Sequence, residues 1–93
     1  MKSIMQKEKE CFYCKTTRYL EEHHIFGGAN RKYSERYGLK VYLCNRDHNQ
    51  SPFGVHFNAE RMQELHELGQ RKFMEHFNAS LEDFRKIFGK NYL

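Results

Sequence analysis

Two periodicities divide the chain. Between Arg18 and Phe26, apolar and aromatic residues surround two glutamates and two histidines over the length of one short strand, which Gly27-Gly28 ends. A second strand is predicted over Lys40–Cys44, where Leu39, Val41 and Leu43 alternate with Lys40 and Tyr42. After Asn58 the period lengthens. Met62, Leu65, Phe73 and Phe77 recur at helical spacing while Glu60, Glu64, Glu67, Arg71 and Lys72 can face water, predicting a helix from an Asn58 N-cap to about Phe77. Ser80 and Asp83 then form a capping box with Asp in the usual Glu/Gln place, opening a shorter helix through Leu81, Phe84, Ile87 and Phe88 that Gly89 stops. The intervening stretches read as loops. Ala29–Gly38 is polar and basic, and Asn45–Gly54 holds the only proline, Pro52, among residues that bend chains. Cys11-Phe-Tyr-Cys14 reads as a tight turn.

The expected order is strand, loop, strand, loop, helix, helix, an α+β chain with cysteines and clustered histidines at turns and strand ends. With 93 residues it cannot divide its apolar residues between two cores, so residues 1–93 are read as one domain. A hydrophobic fraction of 39% is too high for a disordered tail yet thin for a self-sufficient core this small, which calls for a staple. The first ten residues hold no continuous apolar stretch, so neither a signal peptide nor a membrane span is expected there, and the reading is a cytoplasmic chain. In that setting three cysteines point to metal rather than disulfides. The net charge of +4 is uneven: residues 1–50 hold ten Lys/Arg against six Asp/Glu, and residues 51–93 hold six of each. The basic half is also the Cys/His half, as expected of a metal beside a polyanion.

Two thiolates two residues apart can grip one zinc and leave half its tetrahedron for a distant pair. Cys11 and Cys14 are that knuckle, and Cys44 with Asp47 or His48 is the partner. Asp47 keeps the knuckle spacing with an oxygen ligand, whereas His48 is the better ligand at a longer spacing. Adjacent strand residues point to opposite faces, so His23 and His24 invite a division of labour, one imidazole holding a divalent ion and the other acting as general base. A base plus a metal supplies what phosphodiester hydrolysis needs, an activated water and neutralisation of charge on phosphate and leaving oxygen. His48 and His56 are candidates to complete the ion's ligands. If zinc takes His48, the catalytic ion keeps His23 and His56. Glu21 and Glu22 read as solvated or paired with basic residues, with Glu22 a candidate to support a ligand histidine; His66 and His76 read as ordinary helix residues.

Cys11-x-x-Cys14, Leu20-Glu-Glu-His23-His24-Ile25-Phe26-Gly27-Gly28, Val41-Tyr-Leu-Cys44-Asn-Arg-Asp47-His48-Asn49 and Gly54-Val55-His56 together resemble the zinc-containing HNH endonucleases. The likeness is to small phage-type members and related phage recombination-associated nucleases, so a phage or prophage origin is implied. It covers residues 11–58 well and the helical part, 58–93, more loosely. The resemblance implies a ββα-metal (His-Me finger) core with zinc knuckles and C-terminal helices. It implies His24 as general base, His23 and His48 as ligands of a catalytic Mg, Mn, Ni or Zn, and Cys11, Cys14, Cys44 and Asp47 on a structural zinc. His56 becomes an extra residue of the catalytic site. Asp47 stands where members commonly have Cys or His. The asparagine that orients the base has no evident counterpart, Asn30 being the only asparagine between His24 and Cys44.

The function expected is a metal-dependent DNA endonuclease, nicking or cutting by hydrolysis. Arg31, Lys32, Arg36, Lys40 and Arg46 would neutralise phosphates without reading bases, giving salt-sensitive binding of low sequence selectivity. Stronger specificity would need a homodimer or a partner DNA-processing protein. Two rival readings remain: a non-catalytic zinc-stabilised nucleic-acid-binding module, and a zinc-only adaptor that presents Leu81, Phe84, Ile87 and Phe88 as an exposed apolar stripe.

Overall fold

A computed structural model describes residues 1–50 and 54–93. The strands are β1 (Leu20–His24) and β2 (Lys40–Cys44), and the helices are α1 (Arg31–Tyr37), α2 (Asn45–Asn49), α3 (Ala59–His76) and α4 (Leu81–Phe88). Single 3-10 turns occupy Gly28–Asn30 and Val55–Phe57. The result is a small α+β structure around a two-stranded antiparallel sheet.

β1 is shorter than Arg18–Phe26 for two local reasons. Tyr19 takes a left-handed φ of 56°, costly for a bulky residue, and turns the chain so that its carbonyl accepts from Asn45 N at 3.0 Å. At the other end Ser34 Oγ accepts from Phe26 N and donates to Phe26 O, taking both backbone groups that a longer ladder would use. Leu20 pairs with Cys44, Glu22 with Tyr42, His23 with Val41 and His24 with Lys40. With a period of two, Glu21 and His23 therefore share one face with Val41 and Leu43, while Glu22 and His24 share the other with Lys40 and Tyr42.

The stretch Ala29–Gly38, expected as a loop, is instead mostly α1. Its polar residues Arg31, Lys32, Glu35 and Arg36 are good helix formers, and Tyr33, Ser34 and Tyr37 at helical spacing turn inward onto the core. Gly38 ends α1 at φ 70°, where a Cβ would run into the Lys2 carbonyl. Part of the second expected loop is likewise helical: Asn45–Asn49 forms α2, with Asp47 buried. Pro52 lies outside the described residues.

The two C-terminal helices agree with the reading from periodicity. Asn58 Oδ1 caps α3 by accepting from Arg61 N at 3.1 Å, and Ser80 and Asp83 form the reciprocal capping box of α4. Gly69 lets α3 close onto β1's continuation, since a Cβ there would stand 2.8 Å from Ile25 Cγ2. Phe26 is ringed by Phe84, Phe88, His66 and Tyr92 at centroid distances of 4.8 to 5.5 Å. Of the apolar stripe required by the adaptor reading, Phe84 and Phe88 are buried against Phe26 and Phe73 and Ile87 is half-buried, which leaves Leu81 exposed. Among the described residues no helix is long and apolar enough to cross a membrane.

Candidate metal centres

The turn at Cys11–Cys14 is closed by Cys11 N donating to Thr16 O at 2.8 Å and Lys15 N donating to Cys11 O at 3.0 Å, with Lys15 at φ 66°. It is stitched to β2 by Phe12 N on Tyr42 O at 2.8 Å, which brings the knuckle beside Cys44 at the end of β2. The Cys14 and Cys44 sulfurs lie 3.6 Å apart. Asp47, one turn into α2, sends Oδ2 back to accept from Cys11 Sγ at 3.1 Å and Cys44 Sγ at 3.5 Å. Of the two residues left open by spacing, Asp47 and not His48 joins the thiols. The four side chains form a group whose ligand atoms all lie within 4.8 Å of one another, and this cluster could bind a metal ion.

Asp47 is 1% exposed, and its other oxygen lies 3.2 Å from Arg61 Nη1 and 3.5 Å from Arg46 Nε. Burial pushes its carboxyl up, but hydrogen bonds from the thiols and from Arg61 outweigh that, and it ends below the usual range. It is therefore ionised and charge-balanced before any metal arrives. Burial pushes the Cys44 thiol up to about 11, so in the metal-free protein it keeps its proton. A bound cation would displace it. Arg61, whose guanidinium also lies 4.3 Å over the Tyr13 ring, had no signal in the sequence beyond its place one turn into α3.

A second group includes His48, the neighbour of Asp47 in α2. His23 from β1, His48 from α2 and His56 from the Val55–Phe57 turn bring their ring nitrogens within 4.8 Å of one another. The Nε2 atoms of His48 and His56 are 3.1 Å apart. His23 is 3% exposed, and its Nε2 is buried with no hydrogen-bond partner, a cost that a cation would relieve. Burial, then the neighbouring His48 and His56, pushes the His23 imidazole down to about 3, and burial also lowers His56. Both are held as neutral rings, the form that ligates metal.

The Glu21 carboxylate lies 3.0 Å from His48 Nδ1 and accepts from Asn49 Nδ2 at 3.0 Å. A carboxylate oxygen accepts, so this contact engages His48 through Nδ1 and turns its Nε2 toward the cluster. The supporting carboxylate is thus Glu21, on the face of His23, rather than Glu22.

His24 points the other way. Its Nε2 lies 3.4 Å from Glu35 Oε2, and Lys40 Nζ lies 2.6 Å from the same oxygen and 3.5 Å from Glu22 Oε1. The hydrogen bond from Lys40 holds the Glu35 carboxyl low. Glu22, His24 and Glu35 also lie close enough to hold an ion, but the Lys40 ammonium already supplies the positive charge there. Glu35 was missed because α1 was read as loop. Asn30, the one asparagine available to orient His24, is engaged elsewhere, donating from Nδ2 to Phe88 O at 3.0 Å.

Of the five basic residues expected on DNA, Arg31 and Lys32 line a concavity of about 780 Å³ together with His24. Lys40 is occupied by the two glutamates, Arg46 stands beside Asp47, and Arg36 lies 6.0 Å from the Tyr33 ring centroid. No protein-family model, curated protein or solved structure matches the chain.

Proposed function

We propose that the chain is a metal-dependent DNA endonuclease of the HNH kind, with a structural zinc at Cys11, Cys14, Cys44 and Asp47. The convergence of His23, His48 and His56 around the unpartnered His23 Nε2, one residue before His24, carries this reading. A structural zinc accounts for the thiol site alone and leaves three imidazoles gathered without a purpose. The β1–β2 hairpin followed by α2, which bears His48, supports a ββα-metal core.

The donor sets fit the two ions. Three thiolates and one carboxylate match a tetrahedral zinc site, and three imidazoles match a borderline transition metal with a position left for water or phosphate. When bound, the second ion would neutralise charge on the phosphate and the leaving oxygen. His24 accepts the proton of the attacking water. With its Nε2 proton donated to the Glu35 carboxylate, Nδ1 is the basic atom. Glu35, fixed by Lys40, does the orienting work of the absent asparagine. Arg31 and Lys32 hold the phosphate backbone beside His24.

The engagement of Asn30 on Phe88 O favours a second reading, a zinc-stabilised DNA-binding module without catalysis. Plasmid nicking at low salt in Ni, Zn, Mn or Mg, by wild type and His24→Ala, separates the two. The endonuclease reading expects nicking by wild type, with Ni or Zn ahead of Mg because the ligands are imidazoles, and DNA binding without nicking by His24→Ala. DNA binding by wild type without nicking in every ion would leave the binding module.

A further inference from the structure

The face of the sheet that carries His24 continues beyond α1 into a second concavity, of about 650 Å³, lined by Lys2, Ser3, Gln6, Lys7, Lys9, Glu22, Lys40 and Tyr42 among others. Glu22 lines both concavities, so the two adjoin across β1. Together they present six cationic side chains, Lys2, Lys7, Lys9, Lys40, Arg31 and Lys32, against two carboxylates, Glu22 and Glu35. That excess equals the +4 of the entire chain, so the rest of the molecule carries as many acidic as basic side chains. Lys40 bridges both carboxylates, which leaves the other five cations to act on a ligand.

The N-terminal lysines are not on a loose tail. Ile4 N donates to Gly38 O at 2.9 Å, Ser3 Oγ donates to Lys40 O at 2.5 Å, and Gln6 Oε1 accepts from Tyr42 N at 2.8 Å, pinning residues 3–6 along the free edge of β2. Lys9 Nζ lies 5.6 Å from the Tyr42 ring centroid. Lys2, Lys7 and Lys9 are exposed, and Glu8 and Glu10 of the same segment do not line the concavity. The segment therefore holds cations in register with a strand edge on the same face as His24. One positive flank, Arg31 and Lys32, lies on one side of Glu22 and His24, and the other, Lys2, Lys7 and Lys9, lies on the far side.

We propose that this face is the DNA track, and that residues 2–9 form its second wall, gripping phosphates on the side of His24 opposite α1. The proposal rests on the endonuclease reading for the identity of the polyanion but not on catalysis. A backbone crossing both concavities would have phosphates held on both sides of His24 rather than on one.

The test is the salt dependence of binding to a short duplex by zinc-loaded protein with no second metal added, so that nothing is cut. Each lysine–phosphate contact contributes about 0.9 to the slope of log K against log salt. Lys2→Gln/Lys7→Gln/Lys9→Gln is expected to reduce that slope by about two to three. Arg71→Gln/Arg85→Gln/Lys86→Gln, on α3 and α4, should leave it as in wild type. An unchanged slope in the N-terminal variant, or an equal reduction in the α3/α4 variant, overturns the second wall and leaves the endonuclease reading standing. Failure of the wild type to bind duplex at low salt overturns both.

Discussion

The thiol cluster and the imidazole cluster lie on either side of one peptide bond, with Asp47 in the first and His48 in the second, yet they are built on opposite principles. At the knuckle the buried donors already have partners, Cys11 and Cys44 donating to Asp47 and Asp47 held by Arg61, while the exposed Cys14 lies 3.6 Å from the Cys44 sulfur. At the triad the innermost donor, His23 Nε2, has none, and His56 is exposed. A hydrogen-bonded, charge-balanced site suits an ion that holds the fold. A site with an unsatisfied nitrogen and an open side suits an ion that must meet a substrate. α2 joins them, so whatever fixes the knuckle also sets the position of His48.

The largest expected effect breaks the comparison at its structural end. Cys11→Ala, or removal of zinc by a strong chelator, should unfold the half containing β1, β2 and α2, because structural zinc contributes on the order of 10–16 kcal/mol of apparent binding energy in small domains. Amide NMR spectra would show it as collapse of those resonances, whereas His56→Ala should keep the native spectrum. Next comes catalysis. His24→Ala should lower nicking by about 10²- to 10⁴-fold with zinc content and DNA affinity retained. Glu21→Ala should weaken binding of Ni at the triad by roughly 10- to 100-fold while leaving the knuckle zinc in place, as read by calorimetric titration.

The smallest effect is a pH dependence. His23 titrates at about 3 in the folded chain and at the ordinary value of 6.5 when unfolded, so below pH 6.5 the unfolded state binds the extra proton. Stability should be fully present above pH 6.5 and fall progressively as pH drops toward 3. Urea unfolding at pH 7 and pH 5, with the triad metal-free, measures it. His23→Leu should flatten that part of the profile; an identical slope in the variant would place the titrating group elsewhere.

The knuckle was legible because a Cys-x-x-Cys turn and a third cysteine after a strand constrain the answer strongly. The opposed directions of His23 and His24 were legible because strand period alone sends neighbours to opposite faces. α1 was not. Its residues are polar and basic, so it looks like a loop by composition, and only the spacing of Tyr33 and Tyr37 before Gly38 marks a helix. Missing α1 hid Glu35, which reaches His24 from the segment that connects the strands. Glu21 was hidden for another reason: its partner His48 is 27 residues away, and only the β1–β2 register brings them together. The lysines at 2, 7 and 9 gain meaning only from the strand edge that holds them.

Counting metal against activity tests the central claim most directly. Protein carrying one zinc at the knuckle would be titrated with Ni while plasmid nicking and bound metal are followed together. Nicking that rises with the second equivalent and disappears in His56→Ala, with the zinc still bound, is the predicted result. A chain that saturates at one ion, or fills both sites and never cuts, would contradict it.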